Sequence, residues 1–115
     1  MEPDDLFGIL SDSTRLRALM LIQAEDELCV CELTFALQES QPKISRHLAL
    51  MREVGIVEAR RDGTWMYYRI NPRLPGWSKE LIAHIHKQII GLHPHSDDVE
   101  LLEQMTNRPG ARDCA

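Results

Sequence analysis

No apolar run in this 115-residue chain approaches the 20 or so residues that cross a bilayer, so a membrane-spanning protein is not expected. The opening stretch MEPDDLFGIL is acidic and has neither the basic region nor the apolar core of a secretory signal, so the expected location is the cytoplasm. Internal repeats and low-complexity segments are missing as well. Aromatics are few, while the apolar fraction of 43% is ordinary, which leaves material for one modest core in one domain. A chain this short has little stability to spare, and dimerisation would help it. Cysteine is also scarce and odd in number: Cys29, Cys31 and Cys114. Two of the three lie too close in sequence for an ordinary structural disulfide. That excludes a disulfide framework and points to metal or redox chemistry.

Positive charge is in deficit, with 13 Lys and Arg against 18 Asp and Glu. The net −5 argues against DNA binding until its distribution is considered. Residues 41–73 hold Lys43, Arg46, Arg52, Arg60, Arg61, Arg69 and Arg73 against only Glu53, Glu58 and Asp62. That stretch carries +4 and the remainder −9. A basic stripe on an acidic body is the footprint of a nucleic-acid surface that limits non-specific sticking. A merely solvated charged face would have the same composition.

What is present falls into a helix-rich order. Residues 4–10 predict a short first helix with Leu6, Phe7, Ile9 and Leu10 as its apolar content. Ser11-Asp12-Ser13 offers N-cap oxygens for a second helix reaching about residue 24, with Leu16, Leu19, Met20 and Ile22 at helical spacing. Glu25-Asp26-Glu27 is an acidic break, and a third helix is expected over 29–38 with Leu33 and Leu37 facing the core. Ser40 or Gln41 caps a fourth helix, with Pro42 in its first turn, where the missing N–H costs nothing. Ile44, Leu48, Met51 and Val54 form its buried stripe, and Gly55 ends it. Lys43, Arg46, His47 and Leu50 lie off that stripe.

Two strand-like segments, 56–61 and 64–70, then flank Asp62-Gly63, a strong hairpin signal, with Arg60 and Arg61 at the tip. Two helices followed by a basic hairpin predict a winged helix-turn-helix, mainly α with a β-hairpin wing over 56–70. Pro72 and Pro75 precede a long helix expected over 76–93. Trp77, Leu81, Ile82, Ile85, Ile89, Ile90 and Leu92 give it a broader apolar face than one small domain covers. The expected use is a homodimer seam, the protein dimerising through its terminal helices. Pro94 to Asp98 is expected to break this helix, with a short helix over 99–105 after it. The functional domain is thus 1–105, and 106–115 reads as a loose tail.

For DNA, the N-terminal side chains of a recognition helix enter the major groove. Arg46 or Lys43 suits guanine O6/N7, and Gln41 suits adenine. Ser40, Ser45 and His47 suit phosphate or base contacts, and Arg60, Arg61 and Tyr67 suit the backbone or the minor groove. A two-fold dimer would read half-sites in double-stranded operator DNA spaced by roughly 34 Å or a multiple. For the thiols, two cysteines two apart on a helix do not face each other. One atom binding both requires the helix start to unwind. A thiophilic three-coordinate ion such as As(III) or Sb(III) would favour that distorted form and displace the recognition helix. Cys29 and Cys31 as a buried small residue and a chance neighbour is the plainer alternative.

The runs ELCVCEL, SQPKISRHLALMREVGIV and RRDGTWMYYRINP together resemble the arsenic-responsive repressors of the ArsR/SmtB family, and Asp12-Ser13-Thr14-Arg15 resembles the opening of that family's second helix. The similarity covers roughly residues 6–77. It implies a homodimeric winged-helix repressor that leaves its operator when As(III) or Sb(III) binds, with Cys29 and Cys31 as inducer ligands and no organic cofactor. The best-known members carry a third cysteine three positions after the second, where this chain has Thr34. A hydroxyl is a poor ligand for a soft trivalent ion. Cys114, from the same or the partner subunit, is the candidate third ligand, and a small cellular thiol or water is the alternative.

Two other readings remain, one on different residues and one on the same thiols. His84-x-His86 followed by Asp97-x-x-Glu100 has spacing similar to the long-helix zinc sites of this family, which would make the protein a divalent-metal sensor. Gly91 and Pro94 interrupt that helix. A thiol redox switch or enzyme at Cys29 and Cys31 would want a depressed thiol pKa, which Glu27 and Glu32 oppose.

Overall fold

The computed structural model describes residues 1–109. Its elements run α1 (Pro3–Leu10), α2 (Ser13–Glu25), β1 (Glu27–Cys29), α3 (Val30–Leu37), α4 (Gln41–Val54), β2 (Val57–Asp62), β3 (Trp65–Ile70), α5 (Gly76–Ile89) and α6 (His95–Gln104). Helix α2 is the hub. Ala18 through Ile22 are all buried, so it is apolar all round rather than along one stripe, as a central helix should be. It touches α1, α3, α4, α5, α6, β1 and β3. Asp12 starts it, its carboxylate accepting the Arg15 backbone N–H at 3.1 Å.

Helices α3 and α4 form the helix-turn-helix. Gln38 adopts the left-handed region (φ 56°) and its N–H bonds Thr34 O at 3.1 Å, which closes α3. Ser40, not Gln41, caps α4, its Oγ accepting from Lys43 N at 3.4 Å. Ile44, Leu48 and Met51 bury one stripe of α4 under α2 and α3, while Val54 is half-buried. At Gly55 the backbone turns left-handed (φ 91°), a conformation that costs a residue with a Cβ about 1–2 kcal/mol.

The sheet has three strands rather than the two of the predicted wing, in the order β1-β3-β2 and antiparallel throughout. Strand β1 pairs Glu27 with Arg69, Leu28 with Tyr68 and Cys29 with Tyr67. The end of the acidic break therefore contributes to an extended segment, and Cys29 belongs to the wing sheet, not to the third helix. The hairpin closes with Asp62 opposite Trp65, so its two-residue turn is Gly63-Thr64, one position later than Asp62-Gly63.

The long helix stops at Ile89, and the next begins at His95, four residues before the expected start. Gly91 and Pro94 fall between them, and Asp97 and Asp98 place negative charge at the favourable end of α6. Arg17 of α2 holds α6 with two bonds to the buried Asp98, Nη2 to Oδ1 at 2.6 Å and Nε to Oδ2 at 2.9 Å, and donates to Leu37 O at 3.2 Å. Among the described residues, no helix is long and apolar enough to cross a membrane.

Candidate DNA-reading surface and dithiol site

Cys29 is the last residue of β1 and the N-cap of α3, with extended backbone (φ −81°, ψ 155°). Cys31 is the second residue of the helix. This strand-to-helix junction brings Cys29 Sγ and Cys31 Sγ to 2.7 Å, one thiol donating to the other. The expected unwinding of a helical turn is therefore not needed, because Cys29 was never in the helix. The junction is a capping box with a thiol in the serine position. Cys29 Sγ accepts the Cys31 N–H at 3.3 Å, and Glu32 Oε1 accepts the Cys29 N–H at 2.8 Å. Glu32 is 2% exposed, and its other oxygen receives Arg108 Nε at 2.6 Å. Cys29 is buried and Cys31 half-buried. Burial, and then the contact with the Cys29 thiol, pushes Cys31 up to about 12, so it stays protonated near neutrality. A nucleophilic thiol requires the opposite.

Thr34 stands one turn on from the pair. Its hydroxyl donates to Val30 O at 2.8 Å and remains tied to its own helix. Cys114 lies outside the described residues. Of the zinc-type set, His84 and Glu100 are exposed, Asp97 is bonded to His93, and His86 is half-buried with its Nε2 unpartnered. Among the described residues, no group of three or more His, Cys, Asp or Glu side chains is placed to hold a metal ion.

The expected DNA contacts separate into two groups. Ser40, Gln41, Lys43, Ser45 and Arg46 lie on the opening turns of α4, and Gln41 and Arg46 are exposed. Ser40 is occupied as the cap, Gln41 Nε2 approaches Ser45 Oγ at 3.5 Å, and Lys43 pairs with Glu39 at 3.1 Å. Arg61 is exposed on the wing.

Two other residues, His47 and Tyr67, point inward, contrary to expectation, and a third, Arg60, stays exposed but is paired. His47 has a 14% exposed side chain; it meets Arg15 Nη1 at 3.3 Å, and Arg15 in turn holds Ile9 O and Gly8 O at the end of α1. Tyr67 is 6% exposed because it sits on the central strand opposite Cys29. Arg60 lies over the Tyr67 ring at 4.5 Å and grips Glu27 with two bonds, 2.7 and 2.8 Å, so it is committed within the sheet. Glu58 likewise engages Arg69 and Arg73. Much of the local positive charge is thus neutralised at home. Among the described residues, Arg46, Arg52 and Arg61 form no ion pair and carry the free positive charge of this face.

On α5, Ile82 is not part of an exposed seam, being 1% exposed in the protein's own core. Leu81, Ile85 and Ile89 pack partly on that core, whereas Trp77 stays exposed along with Leu92 and, on α1, Phe7. The capping role of Glu32, and Arg108 altogether, escaped the sequence reading. The spacing Cys29-x-x-Glu32 is that of a capping box once cysteine is allowed as the cap, so Glu32 had a signal; Arg108 had none.

A three-stranded winged helix-turn-helix with a thiol pair at the strand-to-helix seam defines a DNA-binding transcription regulator. Comparison with known proteins specifies which kind. Residues 12–59 match the description "Bacterial regulatory protein, arsR family". Over 80 residues the chain is 58% identical to the arsenic resistance transcriptional regulator ArsR2 of Pseudomonas putida, covering 70% of each chain. It is 51% identical over 80 residues to the arsenical resistance operon repressor of Escherichia coli, covering 70% of this chain and 68% of that one. The structure of HlyU from Vibrio cholerae matches with a TM-score of 0.66 at 28% identity, over 77% of this chain and 98% of that one. The AntR antimony-specific transcriptional repressor matches with a TM-score of 0.60 at 26% identity, over 87% and 78%. The chain belongs to the arsR family of bacterial transcriptional regulators, which are not enzymes.

Proposed function

We propose that the protein is a homodimeric cytoplasmic repressor that holds operator DNA without inducer and releases it when As(III) or Sb(III) bridges Cys29 and Cys31. The observation that carries this reading is the 2.7 Å approach of the two sulfurs at the junction of β1 and α3. Two adjacent soft donors suit a soft trivalent ion, which would supply a bond to each sulfur. The chain's own residues set the consequence. Cys29 ends the strand paired with the wing, and Cys31 opens the helix that precedes the reading helix α4. A change in their spacing is felt by both halves of the DNA surface. The likeness to arsenic-resistance regulators and to an antimony-specific repressor supports the same signal.

The third ligand is Cys114, from the same or the partner subunit. Arg108 fixes the chain beside Glu32, next to Cys31, and the six residues from there to Cys114 reach up to about 20 Å. The exposed Trp77, Leu92 and Phe7, together with the half-buried Leu81, Ile85 and Ile89, supply the dimer seam.

The test is arsenite titration of the protein–operator complex, followed by fluorescence anisotropy at one fixed salt concentration with small thiols excluded. Wild type releases DNA, Cys29→Ser does not, and Cys114→Ser needs far more arsenite. Coupling is reciprocal, so operator DNA weakens arsenite binding by the same factor. Going from 99% bound to 99% free takes roughly a 10⁴-fold preference for the DNA-free state. Arsenite binding that is equally tight with and without operator would refute the mechanism.

A further inference from the structure

A cavity of about 820 Å³ opens onto the two sulfurs. It lies between α3, the start of α4 and strand β3, and Met105, just past α6, closes one side. Val30, Phe35, Trp65, Met66 and Tyr68 form the rest of its apolar wall. Among the described residues lining it, Glu39 alone is charged. A bare trivalent ion needs three donors and almost no space. Among the described residues, this site offers two sulfurs and a large aromatic-walled space, and the nearby Thr34 hydroxyl, which also lines it, is already committed to Val30 O. An apolar cavity of about 150 Å³ is enough to hold benzene.

We infer that the site takes trivalent organoarsenicals, with an uncharged aryl group lodged in the cavity. The inference rests on the reading of Cys29 and Cys31 as inducer ligands. The chemistry balances without any oxidant. An arylarsenous acid, R–As(OH)₂, forms two As–S bonds and loses two As–OH bonds, and each hydroxide leaves with a thiol proton as water. Arsenic stays trivalent and keeps its As–C bond, so carbon fills the third position that sulfur fills for the inorganic ion. The apolar wall then binds the ring.

The experiment is a calorimetric titration of the full chain, without DNA, using arsenite, methylarsenous acid and phenylarsenous acid as probes. Dithiothreitol titrated with the same probes gives the intrinsic preference of a plain dithiol. The expected result is a phenyl-over-methyl affinity ratio at least tenfold larger than dithiothreitol shows. Trp65, at 45% exposed, can be truncated without opening the core, and Trp65→Ala narrows that ratio by threefold or more. In a Trp77→Phe background, phenylarsenous acid also changes the emission of Trp65, whereas arsenite changes it less. A ratio equal to that of dithiothreitol, or one that Trp65→Ala leaves unmoved, overturns the inference while arsenite binding through the thiols stands. Binding of all three probes that survives both Cys29→Ser and Cys31→Ser overturns the inducer reading itself, and this inference with it.

Discussion

Arg108 Nε donates to Glu32 Oε2 at 2.6 Å, tying the last described turn of the chain to the first turn of α3 across 76 residues. Arg108 also reaches Glu25 Oε1 at 3.2 Å, so it bridges the end of α2 and the start of α3 directly behind the thiols. Removing the guanidinium leaves the buried Glu32 with only the Cys29 N–H as partner. Arg108→Ala is therefore expected to lower stability by about 2 kcal/mol, read as a lower urea midpoint at unchanged slope. A midpoint equal to that of wild type would mean that the clasp contributes nothing to folding.

The Arg17–Asp98 pair makes a harsher case. Asp98 is almost fully buried and takes both bonds from one guanidinium. Asp98→Ala strands a half-buried cation and is expected to cost about 3 kcal/mol. Replacing both partners, Arg17→Met with Asp98→Leu, recovers part of that loss because no unpaired charge remains. Denaturant melts of the two single variants and the double variant decide it; a double variant no better than the worse single contradicts the argument.

On the proposed DNA surface, the free cations and the committed ones are expected to separate by effect. Arg46→Ala weakens operator binding by about 1–3 kcal/mol and relaxes discrimination at one base position. Arg61→Ala weakens all sequences alike and lowers the salt slope by about one. Tyr67→Phe leaves operator affinity within about twofold, because the ring is inside the sheet and a base edge is worth far more than that. Anisotropy titrations at three salt concentrations measure all three variants. A large loss of affinity in Tyr67→Phe with stability intact would restore that residue to the DNA contact list.

Burial holds His47, His86 and His95 below the ordinary histidine value of 6.5. Asp12 opposes this at His47, and Asp98 opposes it at His95, but burial is the larger cause at both. As pH falls, the unfolded chain takes up these protons first. The stability they contribute is complete above pH 6.5 and is lost as pH falls below 6.5 towards the folded-state values. Urea midpoints should therefore decline between about pH 6.5 and pH 5, before most carboxylates titrate. A flat profile across that window would show that these histidines are protonated in the fold at little cost.

Much of this architecture could be read from residue order. The α4 stripe of Ile44, Leu48 and Met51, the stop at Gly55 and the hairpin around Gly63 follow from periodicity and turn chemistry, which are local. What escaped is long-range. Residues 27–29 carry no strand signal of their own; they become extended because β3 offers them a free edge. Tyr67 looked like a wing contact until that third strand covered it, and Arg60, still exposed, is engaged by Glu27 of the same strand. Ile82 read as seam because the apolar face of α5 is continuous in sequence, although α2 buries one edge of it. The thiol pair was visible as a pair, but its geometry depended on placing the strand-to-helix boundary between the two cysteines.

That boundary has a consequence for how such a sensor changes over time. In the proposed mechanism the detector, Cys29 and Cys31, sits on the crease between the wing sheet and the helix-turn-helix, so its message would have almost no distance to cover before reaching the parts that read DNA. On the same proposal, the walls that would select a ligand belong largely to other side chains, on α3, β3 and the segment after α6. Ligand preference can therefore drift by exchanging wall residues while the crease stays the same. A new signal needs a new wall and no new transmission.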